Sequence, residues 1–188
     1  SGNKQMKILA FAASHRPDSL NKKLILLAAE KIRSLNVEID IAEYGDFDMP
    51  IYNDTLADKL PEVTKTFSQR CKDVDGIIIA MPEYNWSFPA SLKNIIDWTS
   101  RIDNNNLAGK TAFLMSATTG ARGGIAGLQQ FKSPMEALHM IVFHKVFPLS
   151  HAQNAFTDGG QLKDKMQQDL FFNIISDYIS FTRKLSQT

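Results

Sequence analysis

Short apolar segments alternate along this sequence with longer segments that carry an apolar residue every three or four positions. The apolar segments have the length of strands and cover Lys7–Ala13, Val37–Tyr44, Gly76–Met81, Lys110–Ser116 and Val142–Phe147. The spacing in the longer segments is typical of helices that bury one face. Strands that alternate with helices pair in parallel through right-handed crossovers. The sequence therefore predicts an α/β fold, in which helices cover both faces of a five-stranded parallel sheet.

The predicted helices cover Leu20–Ser34, Pro61–Val74, Pro89–Ile102, Ile125–His139 and a C-terminal segment with an apolar face from Leu170 to Leu185. A proline is tolerated in the first turn of a helix, so Pro61 and Pro89 fit helix starts. Pro134 lies inside a predicted helix and removes a hydrogen bond there, so we expect a kink or a break near Ser133. The segment Gly45–Leu60 is predicted to be a long irregular loop.

Composition and charge argue against several classes of protein. The net charge is +1 and the basic residues are scattered among acidic ones, so we expect no nucleic-acid partner. The longest apolar runs fall far short of the roughly 18 residues of a membrane-spanning helix, so we expect no membrane partner. Cys71 is the only cysteine, which excludes an internal disulfide and favours a structural thiol in a reducing cytoplasm.

The chain length suits one folded unit. We expect a single domain over residues 6–188. Ser1–Gln5 is interpreted as a disordered start that includes an expression remnant, with Met6 as the native first residue.

Three loops of unusual composition follow the first, third and fourth predicted strands. Ligands of open parallel sheets bind at the carboxyl edge, where the strand order reverses. The first of these loops, Ser14–Asn21, places two serines and Arg16 at the start of a helix. Free amides and the positive end of the helix dipole bind anions there, and this favours a phosphate site. The alternative is a plain helix cap, in which Ser19 or Asp18 satisfies the helix amides and Arg16 is solvated.

The second loop, Pro82–Pro89, reads Pro-Glu-Tyr-Asn-Trp-Ser-Phe-Pro, and the helix behind it continues with Leu92, Lys93 and Asn94. Together the two loops resemble those of the NAD(P)H-dependent FMN reductase family, which includes flavin, quinone, azo-dye and chromate reductases. The family patterns are Ser-x-Arg-x-x-Ser-x-Asn and Pro-Glu-Tyr-Asn followed by Pro-x-x-Leu-Lys-Asn, and this chain matches both at every defining position. Two motifs in the correct order, each between a strand and a helix, are far more specific than either alone.

This resemblance implies a flavodoxin-like three-layer sandwich with strand order 2-1-3-4-5 and a bound FMN. The first loop would hold the FMN phosphate, and the second would lie along the isoalloxazine ring. The residues implied in the first loop are Ser14, Arg16, Ser19, Leu20 and Asn21. Those implied in the second loop are Pro82, Glu83, Tyr84 and Asn85. Alternatively, Tyr84, Trp86 and Phe88 are core or interface aromatics and Glu83 is a solvated carboxylate.

The third loop, Ser116–Gly124, resembles the glycine-rich loop of the same family. Glycines let a backbone approach a flat ligand closely, and the resemblance assigns Ser116, Gly120 and Gly123 to the pyrimidine side of the flavin. A turn needed only for chain reversal is the alternative. Arg122 either meets a phosphate of the nicotinamide nucleotide or lies in solvent.

The implied activity is hydride transfer from NADPH or NADH through FMN to a small acceptor. Candidate acceptors are a quinone, an azo dye, a nitroaromatic compound, chromate or free flavin. The flavin carries the chemistry, so no catalytic side chain is assigned. Members of this family commonly form dimers or tetramers, and the apolar segment Trp86–Trp98 is a candidate contact region.

Other functions are weighed against this one. A flavodoxin-type carrier of single electrons would lack NAD(P)H activity, and the near-neutral charge of the chain argues against it. A doubly wound domain without flavin, used for partner recognition, is a second alternative. The four histidines do not form a ligand spacing with the cysteine or with clustered carboxylates, so we expect no metal site.

Overall fold

The computed structural model describes residues 5–186, which form a parallel sheet with helices on both faces. The strands are β1 (Lys7–Ala12), β2 (Glu38–Ile41), β3 (Gly76–Ala80), β4 (Thr111–Ala117) and β5 (Ile141–Leu149). The helices are α1 (Leu20–Ser34), α2 (Glu62–Lys72), α3 (Ala90–Thr99), α4 (Ile125–Ala137) and α5 (Lys165–Leu185). All neighbouring strands are parallel in the order β2-β1-β3-β4-β5, which confirms the predicted topology. The interpretation of residues 1–5 as an expression remnant falls almost entirely on residues 1–4, which lie outside the described residues.

Alternate residues of β1 enter two separate hydrophobic cores, because side chains of a strand point to opposite faces of its sheet. Ile8 and Ala10 pack with apolar residues of α1 and α5, whereas Leu9 and Phe11 pack with those of α2, α3 and α4. The sheet is thus the middle layer of three, as predicted. Within residues 5–186, no helix combines the length and the hydropathy that crossing a bilayer demands.

Of the kink or break predicted near Ser133, the break is wrong, because α4 runs without interruption from Ile125 to Ala137, whereas the kink stays a prediction. Pro134 lies in the last turn of α4 and has no N–H, so one helical hydrogen bond lacks its donor. Phe131 and Met135 lie on either side of this proline and are almost completely buried. Their burial in the core stabilises the helical path by more than the missing bond costs.

Both edge strands differ in length from the prediction. β2 is shorter, because Tyr44–Phe47 forms a 3₁₀ turn whose aromatic rings lie 6.0 and 5.4 Å from the ring of Phe11. β5 is longer and includes Pro148. An edge strand tolerates proline, because no strand lies on its outer side to accept a hydrogen bond from the missing N–H.

Two residues singled out in the sequence belong to the core. Cys71 is completely buried, and burial raises the pKa of its thiol to about 12, so the thiol stays neutral. Trp98 is also completely buried, and its ring N–H donates to the carbonyl oxygen of Pro50 at 2.7 Å. Of the two tryptophans that bound the candidate contact segment, only Trp86 has an exposed ring.

Candidate active site

A cleft of about 450 Å³ opens at the carboxyl edge of the sheet. It lies between the loops that follow β1, β3, β4 and β5. Its lining consists of Ser14, Arg16, Asp18, Ser19, Leu20, Asn21, Lys23, Pro82, Glu83, Tyr84, Ala117, Thr118, Thr119 and Gln153. This is the edge at which ligands of open α/β sheets bind.

The loop after β1 leads into the start of α1 and leaves two of its amides unpaired among the described residues. Ser19 caps the helix, and its hydroxyl accepts a hydrogen bond from the amide of Lys22 at 3.3 Å. The backbone amides of Leu20 and Asn21 donate to no acceptor within residues 5–186. Both residues line the cleft, so a phosphate at this point would satisfy two unpaired donors at the positive end of the helix dipole.

Arg16 lies in this loop beside a carboxylate. Its guanidinium donates to both carboxylate oxygens of Asp18, at 3.3 and 3.2 Å. These hydrogen bonds are the main reason that the pKa of Asp18 lies below its ordinary value. Arg16 thus lines the cleft with part of its charge already balanced, although its side chain is 75% exposed and free to reorient.

Asn21 fastens α1 to the end of β4. Its side-chain oxygen accepts from the amide of Ala117 at 2.8 Å, and its side-chain nitrogen donates to the carbonyl oxygen of the same residue at 3.2 Å. The asparagine is only 4% exposed. This motif residue therefore holds two walls of the cleft together, a role that the sequence does not reveal because it depends on the order of the strands in the folded sheet.

The loop after β3 is a tight turn. The amide and carbonyl groups of Tyr84 and Ser87 bond reciprocally, with the two N–H donors at 2.9 and 3.1 Å from their acceptors. The two residues between them, Asn85 and Trp86, both have positive φ. A tryptophan with positive φ is uncommon, because the side chain of an L-residue crowds its own backbone in that region. The guanidinium of Arg122 lies 3.0 Å from the centre of the Trp86 ring and stacks on it.

Side chains fix this turn on α4. A carboxylate oxygen of Glu83 accepts from the amide of Gly127 at 2.9 Å, within the first turn of the helix. Gln130 accepts from the hydroxyl of Ser87 at 2.8 Å and donates to the carbonyl oxygen of Trp86 at 2.9 Å. Glu83 therefore anchors the turn to α4 and is not a solvated carboxylate. The ring of Tyr84 is half-exposed at the cleft.

The loop after β4 is packed tightly at its C-terminal end, just before α4. Gly123 and Gly124 both have positive φ, and a methyl group on Gly124 would collide with the hydroxyl of Ser116. That hydroxyl is buried and has no hydrogen-bond partner within residues 5–186. Gly120 and Gly123 do not line the cleft, and neither do Ser116 and the exposed Asn85. Their assignment to the flavin stays a prediction.

A loop that the sequence analysis did not consider completes the cleft. It follows β5 and brings Gln153 into the lining. The amide of Ala152 donates to the carbonyl oxygen of Thr118 at 2.9 Å, and that of His151 to Gly120 at 3.2 Å, so this loop is tied to the loop after β4. The predicted parallel sheet could have indicated this loop, because β5 ends at the same edge as β1, β3 and β4.

The loop Gly45–Leu60 is anchored over its first half. Asn94 on α3 accepts from the amide of Tyr52 at 2.8 Å and donates to the carbonyl oxygens of Met49 and Pro50. An imidazole nitrogen of His15 lies 2.7 Å from a carboxylate oxygen of Asp48, which connects this segment to the loop after β1. Within residues 5–186, no cluster of His, Cys, Asp or Glu is placed to hold a metal ion.

The family model for NADPH-dependent FMN reductases matches residues 6–154 of this chain. The chain belongs to the NADPH-dependent FMN reductase family. The similarity implied by the first two loops is thereby confirmed, together with NAD(P)H dependence, FMN as the cofactor and oxidoreductase activity. The match also favours a reductase over a carrier of single electrons.

Three curated relatives of this reductase cover between 76% and 95% of its length. An NAD(P)H-dependent FMN reductase of Pseudomonas aeruginosa is 32% identical over 173 residues, or 88% of this chain and 89% of that protein. A 2-hydroxy-1,4-benzoquinone reductase of a Burkholderia species is 26% identical and covers 95% of this chain and 97% of its own. The quinone reductase of Escherichia coli is 27% identical over 76% of each chain.

Solved structures similar to this reductase confirm its fold. The flavoenzyme NAD(P)H:(acceptor) oxidoreductase FerB of Paracoccus denitrificans superposes with a TM-score of 0.81 at 23% identity, over 95% of this chain and 98% of FerB. An archaeal flavodoxin superposes with a TM-score of 0.62 at 13% identity, over 95% of this chain and 99% of its own. Reductases and flavodoxins share the fold, so the family match and not the fold separates the two functions.

The residues of the cleft fit the charged end of FMN. The unpaired amides of Leu20 and Asn21, the hydroxyls of Ser14 and Ser19 and the guanidinium of Arg16 are all donors in one lining. A phosphate monoester with about two negative charges requires such donors. Besides these predicted residues, the cleft contains Asp18, Lys23, Ala117, Thr118, Thr119 and Gln153, which the sequence analysis did not assign.

Proposed function

We propose that this FMN-dependent reductase passes electrons from NAD(P)H to a small quinone. The observation that carries the proposal is the cleft itself, whose lining includes the start of α1, with its unpaired amides, and the half-exposed ring of Tyr84. A flat acceptor can stack on aromatic surface, and the family relatives named as quinone reductases support this acceptor class. Azo dyes, nitroaromatic compounds, chromate and free flavin are the competing acceptors.

When it is bound, FMN supplies the redox chemistry, since its ring can take up a hydride and release electrons to a second molecule. The chain supplies binding and orientation. Ser14, Arg16 and Ser19, with the amides of Leu20 and Asn21, would hold the phosphate. The backbone of Pro82–Asn85 would lie along the ring and be kept in place by the bond between Glu83 and α4. No side chain of the cleft is assigned as an acid or base.

Anaerobic reduction tests this function directly. The protein loaded with FMN should lose its yellow colour on addition of NADPH or NADH, and a benzoquinone should restore it. Steady-state rates with quinones should exceed those with the other acceptor classes and follow ping-pong kinetics. Bound FMN that resists both nucleotides but is reduced by dithionite would identify an electron carrier. A faster rate with an azo dye, chromate or free flavin would replace the quinone assignment.

Replacing Arg16 and Ser19 together with alanine should weaken FMN binding about tenfold or more, because two charge-assisted or hydroxyl donors to the phosphate are lost. Titration of the apoprotein with FMN measures the change. The Ser19 cap contributes about 1 kcal/mol to stability, so thermal unfolding is recorded beside each titration. Arg33→Ala, at the exposed far end of α1, is the control. Equal affinity in the double variant and this control would refute the phosphate assignment.

We also propose that the protein is a cytoplasmic homodimer or homotetramer. Tyr84 and Trp86 are 55% and 59% exposed, and exposed aromatic rings beside a cleft are typical of contact surfaces. A single buried thiol suits a reducing compartment. Light scattering of the purified protein measures the assembly, and a monomer at all concentrations would contradict the proposal.

A further inference from the structure

The charges that line the cleft are unexpectedly balanced for a site that takes a phosphate. The lining contains two cations, Arg16 and Lys23, and two carboxylates, Asp18 and Glu83. The formal charge of the lining is therefore zero, and without Lys23 it would be negative. Because a negative lining repels a phosphate dianion, the contribution of each cation decides how well the cleft selects a phosphorylated ligand.

The four charged groups are not equally available. Arg16 donates to both oxygens of Asp18, and Glu83 accepts from the amide of Gly127. By contrast, Lys23 forms no ion pair within 4 Å of any carboxylate in the described part of the chain, and its charge acts on Asp18 only through space, as a minor cause of the lowered pKa of that carboxyl. It is the cation of the cleft that is not already matched by a bonded anion.

An aromatic contact directs the Lys23 side chain toward the loop after β5. Its ammonium lies 5.9 Å from the centre of the Phe156 ring, in the segment that also brings Gln153 into the lining. A contact with a ring face leaves ammonium N–H groups free to donate to another acceptor. Lys23 is exposed, and its ammonium lies near the loop after β5 with donors that remain unused within residues 5–186.

The preceding residue provides a natural contrast. Lys22 is in the same turn of α1, but its ammonium donates to both carboxylate oxygens of Glu43, at 2.8 and 2.9 Å. It is not part of the cleft lining. Two adjacent lysines thus have the same charge and lie in the same turn of α1, but they point in different directions around the helix and only Lys23 lines the cleft.

From these contacts we propose that Lys23 strengthens the preference of this cleft for FMN over riboflavin, by supplying a second cation to the phosphate beside the Arg16–Asp18 pair. This inference rests on the proposed phosphate site at the start of α1. It assigns to Lys23 a binding role that lies outside the two loop motifs. No step of the reaction depends on it, so its effect should appear in cofactor affinity.

The test compares Lys23→Gln with Lys22→Gln by fluorescence titration of the apoproteins with FMN and with riboflavin. Lys23→Gln should weaken FMN binding about fivefold at low ionic strength and leave riboflavin binding unchanged, because riboflavin has no phosphate. The difference should shrink at high ionic strength, since salt screens exposed charges. Lys22→Gln should bind both flavins like the wild type, and Lys23→Arg should restore FMN affinity.

Three results would overturn the proposal. They are unchanged FMN affinity in Lys23→Gln, an equal loss in Lys22→Gln, and a parallel loss of riboflavin affinity, which would indicate a merely structural role. A wild-type protein that binds no FMN would instead refute the proposed function, so the two failures are distinguishable. Circular dichroism of each variant checks that α1 remains folded.

Discussion

Replacing Gly123 with alanine is expected to destabilise the protein by about 2–4 kcal/mol. The residue has φ +62°, a conformation that alanine adopts only with strain. A methyl group there would also lie 2.7 Å from the carbonyl carbon and 2.9 Å from the carbonyl oxygen of Pro148. These are backbone atoms of β5, so they cannot turn away as a flexible side chain would. Urea unfolding measures the loss.

Gly120 is the matched control for this prediction. It lies three residues earlier in the same loop, its φ is outside the left-handed region, and a methyl group there would meet nothing within 4 Å. Gly120→Ala should therefore leave the free energy of unfolding nearly unchanged. Equal unfolding midpoints for the two variants would contradict the packing described between this loop and β5.

The second large effect is expected for Asn21→Ala, which should lower the free energy of unfolding by about 2 kcal/mol. Ala117 is 4% exposed, and the change leaves both its amide and its carbonyl group buried without their partner. Alanine favours the helix more than asparagine does and offsets part of this loss by about 0.5 kcal/mol. FMN binding should weaken as well, since α1 and β4 are the walls that this side chain joins.

Chemical unfolding and FMN titration of the same preparation measure both effects of Asn21→Ala. Asn173→Ala is the control, because Asn173 is exposed on α5, far along the chain from the cleft loops. It should match or slightly exceed the wild type in stability. A variant at position 21 as stable as this control would show that the two bonds to Ala117 contribute nothing net.

Local signals explain why much of the fold is predictable from the sequence. The bounds of α1, Leu20–Ser34, agree with the prediction because Ser19 caps the helix and an apolar stripe follows directly. β3 is found within one residue, since Gly76–Ala80 is apolar throughout and lies in the middle of the sheet. Such elements are specified by residues within a few positions of one another.

The features that were missed depend on contacts between distant segments. The break at Pro134 is overridden by the burial of its neighbours, and the last residues of β5 depend on its position at the sheet edge. Gln153 reaches the cleft only because β5 lies beside β4. Asn21 belongs to a motif that predicts phosphate contact, yet its side-chain amide is bonded to Ala117, 96 positions away. The spacing of residues along the sequence does not predict contacts between such distant positions.

The two outer strands also limit how copies of this protein can associate. β2 has only four residues, and its Asp40 is paired with Arg70 of α2 at 2.7 Å. β5 lacks an N–H at Pro148 and carries Lys145, which is paired with Asp177 of α5. A foreign strand would find only a short or interrupted row of partners on either side. Growth of one sheet into the next, the route to fibrous aggregates, is therefore disfavoured, and subunit contacts through helices and loops are favoured over pairing of the sheet edges.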